Sequence, residues 1–316
     1  MSNDLPRVAV LQGGPSAEAE VSRSSAAGVA RALAEKGHAV DLVELDAGCA
    51  RRLLALDPDV VFPALHGPPG EDGTVQGFLE ILGLPYVGSG VHGSATAMDK
   101  SLAKAVFRRW QLPVAPEVVI DSGTPAVEAE QRIRAELGAQ VVIKPLAQGS
   151  AIGVTRLANG GELAGPLAAA LGYGSGVLVE PFIFGHEITA GVLDLHGTEA
   201  RALPVIEIRT AGGEWYDYAN RYTVGKSEHL LPAPLPQPVL DEIQRIALSA
   251  HRALGLRDLS RADFIVTDDH RIVLLEVNTL PGMTPTSLYP DAAAAIGLPF
   301  PELVSALVLS ARRRAG

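Results

Sequence analysis

The sequence predicts an α/β protein: an open parallel-sheet unit at the N-terminal end, followed by two further sheet-bearing regions. Short β-branched runs alternate with amphipathic helical stretches along most of the chain. The first strands run into glycine-bearing turns. The last third holds two apolar runs joined by a polar turn, the pattern of a hairpin. The chain has 316 residues, 47% hydrophobic and 20% charged, and is longer than one core usually supports, so two or three domains are expected.

RVAVL (Arg7 to Leu11) reads as a buried strand ending in Gly13-Gly14. Ala26, Val29, Ala30 and Leu33 then recur at the i, i+3, i+4, i+7 spacing of a helix face. HAVDLVEL and DVVFPAL read as strands, the second running into His66-Gly67, and LPYVGSG (Leu84 to Gly90) as a further short strand and turn. These make an open βαβ unit over residues 1–96. From Met98, MDKSLAKAVFRRW reads as a helix, followed by the strand PVAPEVVI, a charged helix and the strand QVVIKP. The loop PLAQGSAIGV and the strand VLVEP (Val177 to Pro181) complete a second unit over 97–183. The third, 184–316, begins with the strand HEITAGVLD and contains an irregular loop from Tyr218 to Pro236 and a helix from Val239 to Leu254. RADFIVTDDHRIVLLEVN then reads as a hairpin turned by Asp268-Asp269-His270, and ELVSALVLSARRR as an amphipathic helix.

Charge and cysteine content narrow the partners. A net charge of −10 argues against a nucleic-acid partner, so any phosphate site must be locally basic on an acidic body. The lone Cys49 excludes a disulfide framework and a cysteine-based metal cluster. The N-terminus shows no charged n-region before a long apolar run, and no apolar stretch reaches the roughly 18 residues of a membrane span. The chain therefore reads as cytoplasmic, without a membrane partner.

The hairpin carries the clearest chemistry. Asp263 lies on one strand, while Glu276 and Asn278 stand at i and i+2 on the other and share a face. Three oxygen donors on one face suit Mg²⁺, which takes carboxylates, phosphate oxygens and water. Glu276 closes the apolar run from Ile272 to Leu275, where an unpaired carboxylate would be costly. Arg261 lies on the same face and can stabilise charge on a phosphoryl group or a tetrahedral intermediate. Gly282, in the turn TLPGM, lets a backbone N–H approach a substrate oxygen.

Other segments are more ambiguous. The loop after Lys144, with Gly149, Ser150 and Gly153, is either a phosphate-covering flap or a hairpin turn. Lys100 and Lys144 either bracket a triphosphate or are solvated surface lysines. Glu180, at the end of VLVEP, either accepts from an adenine amino group or ends an ordinary interdomain strand. Glu187 either bonds ribose hydroxyls or joins a surface salt bridge. Glu18 and His66 sit at carboxyl ends of parallel strands, where open α/β sheets bind ligands. Glu18 there holds a substrate ammonium or compensates its helix dipole. No GxxxxGK[ST] is present, and the first strand runs into Gly13-Gly14 with no GxGxxG following it, which disfavours a P-loop or a dinucleotide fold.

Taken together, GGPSAEAEVS, ALHGPPGEDGTVQGFLEILGLPYVGSG, MDK, VVIKPLAQGSAIGV, YDYANRYTVG, LPAPL, SRADF and LLEVNTLPGMTPTSLYP resemble the D-alanine–D-alanine ligases of the ATP-grasp superfamily, in that family's order. The resemblance implies three α/β domains with ATP grasped between the central and C-terminal sheets, and two D-alanines joined through an acyl phosphate in peptidoglycan precursor synthesis. It implies catalytic roles for Glu18, Ser150, Tyr222, Arg261 and Gly282. Val21, His66, Ser287 and Leu288 join the substrate site, with Ser287 and Leu288 receiving the carboxylate of the second D-alanine. Lys100, Lys144, Ser150, Glu180, Pro181, Phe182, Ile183, Glu187, Arg221, Leu275 and Glu276 are implied to bind ATP. Asp263, Glu276 and Asn278 are implied to hold two Mg²⁺ ions, with Mn²⁺ able to substitute, in a homodimeric enzyme.

The chain departs from the family pattern in places. Arg221 stands where Lys is usual, Gln148 and Ala151 replace the more usual Glu and Ser, and Pro181 replaces a common Lys. Tyr222 is kept, which favours an amine over D-lactate as acceptor. The rival expectations are a ligase of the same fold with another donor or acceptor in antibiotic biosynthesis or self-resistance, and a nucleotide-binding module that has lost catalysis.

Overall fold

The computed structural model describes residues 5–174, 176–210, 225–284 and 287–315. Its first sheet is parallel, with β1 (Val8–Gln12) between β2 (Val40–Glu44) and β3 (Val60–Pro63). Helices α1 (Ala19–Glu35), α2 (Cys49–Leu56) and α3 (Thr74–Ile81) complete the unit. β1 alternates between two cores: Val8 and Val10 join α1, while Ala9 and Leu11 join α2 and α3. Burial on both faces explains why Val8 to Leu11 are apolar throughout rather than alternating. The segment LPYVGSG contributes one parallel bridge, Tyr86 to Val61, and not a strand.

The helix expected from Met98 begins at Lys100, and a separate helix precedes it. α4 (Val91–Met98) ends where Asp99 adopts an extended conformation, and α5 (Lys100–Arg109) begins after it. The Asp99 carboxylate caps α5 by accepting from the N–H groups of Ser101 and Leu102, each at 3.0 Å. Ala103 and Phe107 of α5 pack with residues of the third sheet, not the second.

The second sheet is antiparallel, in the order β4 (Val118–Ile120), β7 (Val177–Pro181), β5 (Val141–Pro145), β6 (Thr155–Leu157). It packs on α6 (Ala126–Leu137) and α7 (Ala164–Leu171) through a core of its own. PVAPEVVI supplies only the short β4. Pro113 and Pro116 lack the N–H that pairing needs, and the carbonyl of Pro113 instead accepts from Leu274 at 2.7 Å.

The third sheet runs β11 (Ser227–Leu230), β10 (Ile206–Thr210), β8 (His186–Asp194), β12 (Asp258–Val266), β13 (Ile272–Asn278), with β9 (Arg201–Ala202) beside β8. The loop expected from Tyr218 to Pro236 thus contains a strand in its described part. α8 (Gln237–Ala253) covers one face. α9 (Leu288–Ala295) and α10 (Phe300–Ala315) follow, and α10 sends Leu303, Val304, Leu307 and Val308 into the core beneath β1 and α1. The first sheet and the end of the chain therefore share one core. No single helix among the described residues is long and apolar enough to cross a membrane.

Candidate active site

The hairpin that carries Asp263, Glu276 and Asn278 forms as expected, with one irregularity that matters. Asp263 pairs with Glu276 and Arg261 with Asn278, so these four side chains share a face. Between Asp263 and Phe264 the register shifts, and Leu275 has no partner opposite it. This bulge resets the alternation. Leu274 and Val277, three apart, both enter the core, while Leu275 and Glu276, adjacent in sequence, both line a cleft. An apolar run ending in a carboxylate is thereby reconciled with burial on one face.

Two adjoining cavities meet at Glu276. The first is lined by Glu18, His66, Ser150, Arg261, Asn278, Gly282, Ser287 and Leu288. The second is lined by Lys144, Glu180, Pro181, Phe182, Ile183, Glu187 and Leu275. Lys100, Gln148 and Glu276 border both, and the Lys100 ammonium lies 3.3 Å from Glu276.

In the first cavity Glu18 stands at the start of α1, yet its side chain makes no capping bond. It is only 3% exposed and accepts a hydrogen bond from Ser150 Oγ, across 132 positions of chain. The side chain thus reaches into the first cavity. Its carboxylate crowds Gly67, whose left-handed backbone disfavours a side chain there. A Cβ there would sit 2.8 Å from Glu18 Oε2, and φ is +64°. Ser150 and Ala151 both hold left-handed backbone, at φ 45° and 59°, an uncommon pair of non-glycine residues at a functional loop.

His66 is buried with Nε2 3.0 Å from Ser25 Oγ. Burial, then the charge of Arg261, lowers its pKa to about 4, so the imidazole is neutral near pH 7. Glu71 shares this cavity. Burial, then the charge of Glu18, pushes it up to about 8, against the pull of the Gly67 N–H, which donates to it at 2.6 Å. Arg261 grips Asp263 through two parallel bonds of 2.8 Å, and Thr189 Oγ1 donates to the same carboxylate at 2.7 Å. Asp263 lines neither cavity.

In the second cavity Glu180 is held by two lysines. Lys144 donates to Oε2 at 2.6 Å and Lys104 to Oε1. Burial alone would raise the Glu180 pKa, but the two ammonium groups outweigh it and hold the carboxylate below its ordinary range. Burial likewise works to lower Lys144, and Glu180 reverses it. Arg156 lies over the Phe182 ring, 4.9 Å from its centroid, and 3.9 Å from Glu187.

Val21 is buried on α1 and borders neither cavity. Tyr222 and Arg221 lie outside the described residues. Sequence reasoning passed over Glu71, Lys104 and Arg156. Lys104 did leave a trace, since it stands four residues after Lys100 on the same helix face. Glu71 left none beyond its place in HGPPGEDG.

A family profile described as the D-Ala D-Ala ligase C-terminus matches residues 106–309, and one for the N-terminus of the same ligases matches residues 50–89. The D-alanine–D-alanine ligase of Desulforudis audaxviator is 45% identical over 98% of this chain and 99% of its own length. That of Moorella thermoacetica is 45% identical over 96% and 98%. Among solved structures, the D-alanine–D-alanine ligase of Bacillus anthracis superposes with a TM-score of 0.82 at 30% identity, covering 98% of this chain and 99% of that one. The Coxiella burnetii ligase gives 0.81 at 28%, covering 99% and 96%.

Proposed function

The chain belongs to the D-alanine–D-alanine ligase family, and from that premise we propose how its residues join two D-alanines at the expense of ATP. The observation that carries the reading is the pair of cavities meeting at Lys100, Gln148 and Glu276, one fit for an amino acid and the other for a nucleotide. The γ-phosphate passes across this junction to the carboxylate of the first D-alanine, breaking its bond to the β-phosphate and leaving ADP. A free carboxylate is a poor electrophile, and the acyl phosphate supplies a leaving group. The amine of the second D-alanine attacks to give a tetrahedral intermediate, which releases phosphate and leaves the dipeptide.

Glu18 binds the ammonium of the first D-alanine and Ser150 fixes the Glu18 carboxylate. Arg261 and the Gly282 N–H meet the developing oxyanion. A Cβ at position 282 would sit 2.8 Å from Ser287 Oγ, which favours bare backbone there. Ser287 and Leu288, at the N-terminal end of α9, receive the carboxylate of the second D-alanine. Lys100 and Lys144 serve the phosphates, Glu180 the adenine amino group and Glu187 the ribose. Pro181, Phe182, Ile183 and Leu275 enclose the base.

Asp263, Glu276 and Asn278 form a hard oxygen set suited to Mg²⁺. The two carboxylates stand opposite each other in register, paired with Lys100 and Arg261, with which a bound metal would share them. Bound there, two ions would neutralise phosphate charge. We also take the three regions, 1–96, 97–183 and 184–316, as the domains, and the enzyme as a cytoplasmic homodimer.

The test is a panel of D- and L-amino acids and D-lactate with ATP and Mg²⁺, read by phosphate release and product mass. D-alanyl-D-alanine as the main product is expected. A different preferred dipeptide or a depsipeptide would establish the rival ligase, and tight ATP binding without turnover would establish a binding module.

A further inference from the structure

We propose that Lys104 is a positioning residue for nucleobase recognition, acting through Glu180 without touching the nucleotide. The proposal rests on the reading of the second cavity as the ATP site. Lys100 and Lys104 project from α5 one turn apart. Lys100 borders the cavity, whereas the Lys104 side chain is fully buried and borders neither cavity. Its ammonium donates to Glu180 Oε1 and lies 3.0 Å from Glu117 Oε2. Arg108 holds the other Glu117 oxygen at 2.9 Å. Lys104 is thus anchored from behind by a carboxylate that is itself tethered.

The two lysines on Glu180 are not equivalent. Lys144 faces the cavity, so phosphate oxygens compete with Glu180 for its three N–H groups whenever nucleotide is bound. Lys104 is sealed from the cavity and meets no such competitor. A carboxylate this deeply buried stays ionised only beside a lasting counter-charge. Ionised and fixed in rotation, it accepts from the exocyclic amino group of adenine. Protonated or turned, it would tolerate a 6-oxo purine in that place. Lys104 supplies both the charge and the orientation during the part of the cycle when Lys144 is shared.

The experiment compares ATP with inosine triphosphate, which carries an oxo group where adenine has its amino group. For Lys104→Met, the ATP-over-ITP preference in kcat/KM should fall about tenfold, the worth of one hydrogen bond to a charged acceptor. The loss should sit in KM for ATP, with kcat and KM for D-alanine within about twofold of wild type. In a Glu180→Gln background, Lys104→Met should leave the preference within about twofold, because its route is gone. An unchanged preference in the single variant, or an equal loss in both backgrounds, overturns the proposal. If Lys104→Met does not fold, Lys104→Met with Glu117→Gln removes one charge of each sign, and the same tenfold fall is expected. A wild-type chain that makes no dipeptide from ATP instead defeats the reading of the site on which the proposal stands.

Discussion

Glu71 gives the sharpest handle on the electrostatics of the first cavity. Its carboxyl is moved from an ordinary value of 4.5 to about 8, by burial first and by Glu18 second. The folded chain therefore keeps a proton at this position that the unfolded chain has already released above pH 4.5. The associated stability is fully present below 4.5 and is lost as pH rises toward 8. At about 1.4 kcal/mol per pH unit, the interval amounts to about 5 kcal/mol. The Gly67 N–H at 2.6 Å favours the ionised form and is already part of that balance. Glu71→Gln keeps a neutral side chain of nearly the same shape and cannot ionise. Urea unfolding of both proteins, without metal and with a chelator, should be followed at half-unit steps from pH 5 to pH 8. Wild type should lose stability relative to the variant across that range, by several kcal/mol in all. His66 moves the other way, losing stability as pH falls from 6.5 toward about 4, but it is present in both proteins and cancels. Parallel stability curves would refute the account of Glu71 as a buried, proton-holding group.

Three further outcomes are expected. Glu276→Gln should cut turnover by roughly 10²-fold or more while circular dichroism and the unfolding midpoint stay at wild-type values; retained activity would remove Glu276 from the metal set. Ser150→Ala should raise KM for the first D-alanine by about tenfold or more, since it deletes a hydrogen bond to a buried carboxylate, and steady-state kinetics at saturating ATP would read it. Asp258→Ala should destabilise the fold by about 3–5 kcal/mol in denaturant unfolding. That carboxylate, fully buried, takes Arg314 at 2.7 and 3.0 Å, Ser310 at 3.0 Å and the Gly88 N–H at 2.8 Å, tying three distant segments together.

Much of this protein was legible in its sequence wherever short-range periodicity decides the outcome. β7 and β8 begin and end where VLVEP and HEITAGVLD do, and the hairpin turns at Asp268 to His270. Glu276 and Asn278 share a face because side chains alternate along a strand, a rule needing no partner, whereas Asp263 joins that face through its register opposite Glu276. Even so, the pattern was silent on why Leu275 and Glu276 face the same way, because a bulge is defined only against the strand opposite.

What the chain could not display in one dimension was which charges meet. Glu18 was open between a helix dipole and a ligand, and its contact with Ser150, 132 residues away, arises only on folding. Glu180 read as the end of a strand, and its two lysines, 36 and 76 positions distant, became its neighbours only on folding. Glu71 looked like any acidic loop residue until folding buried it beside Glu18. The physical reason is common to all three. Periodicity sets which face a side chain takes, but the dielectric around it and the charge beside it come from segments the sequence keeps far apart.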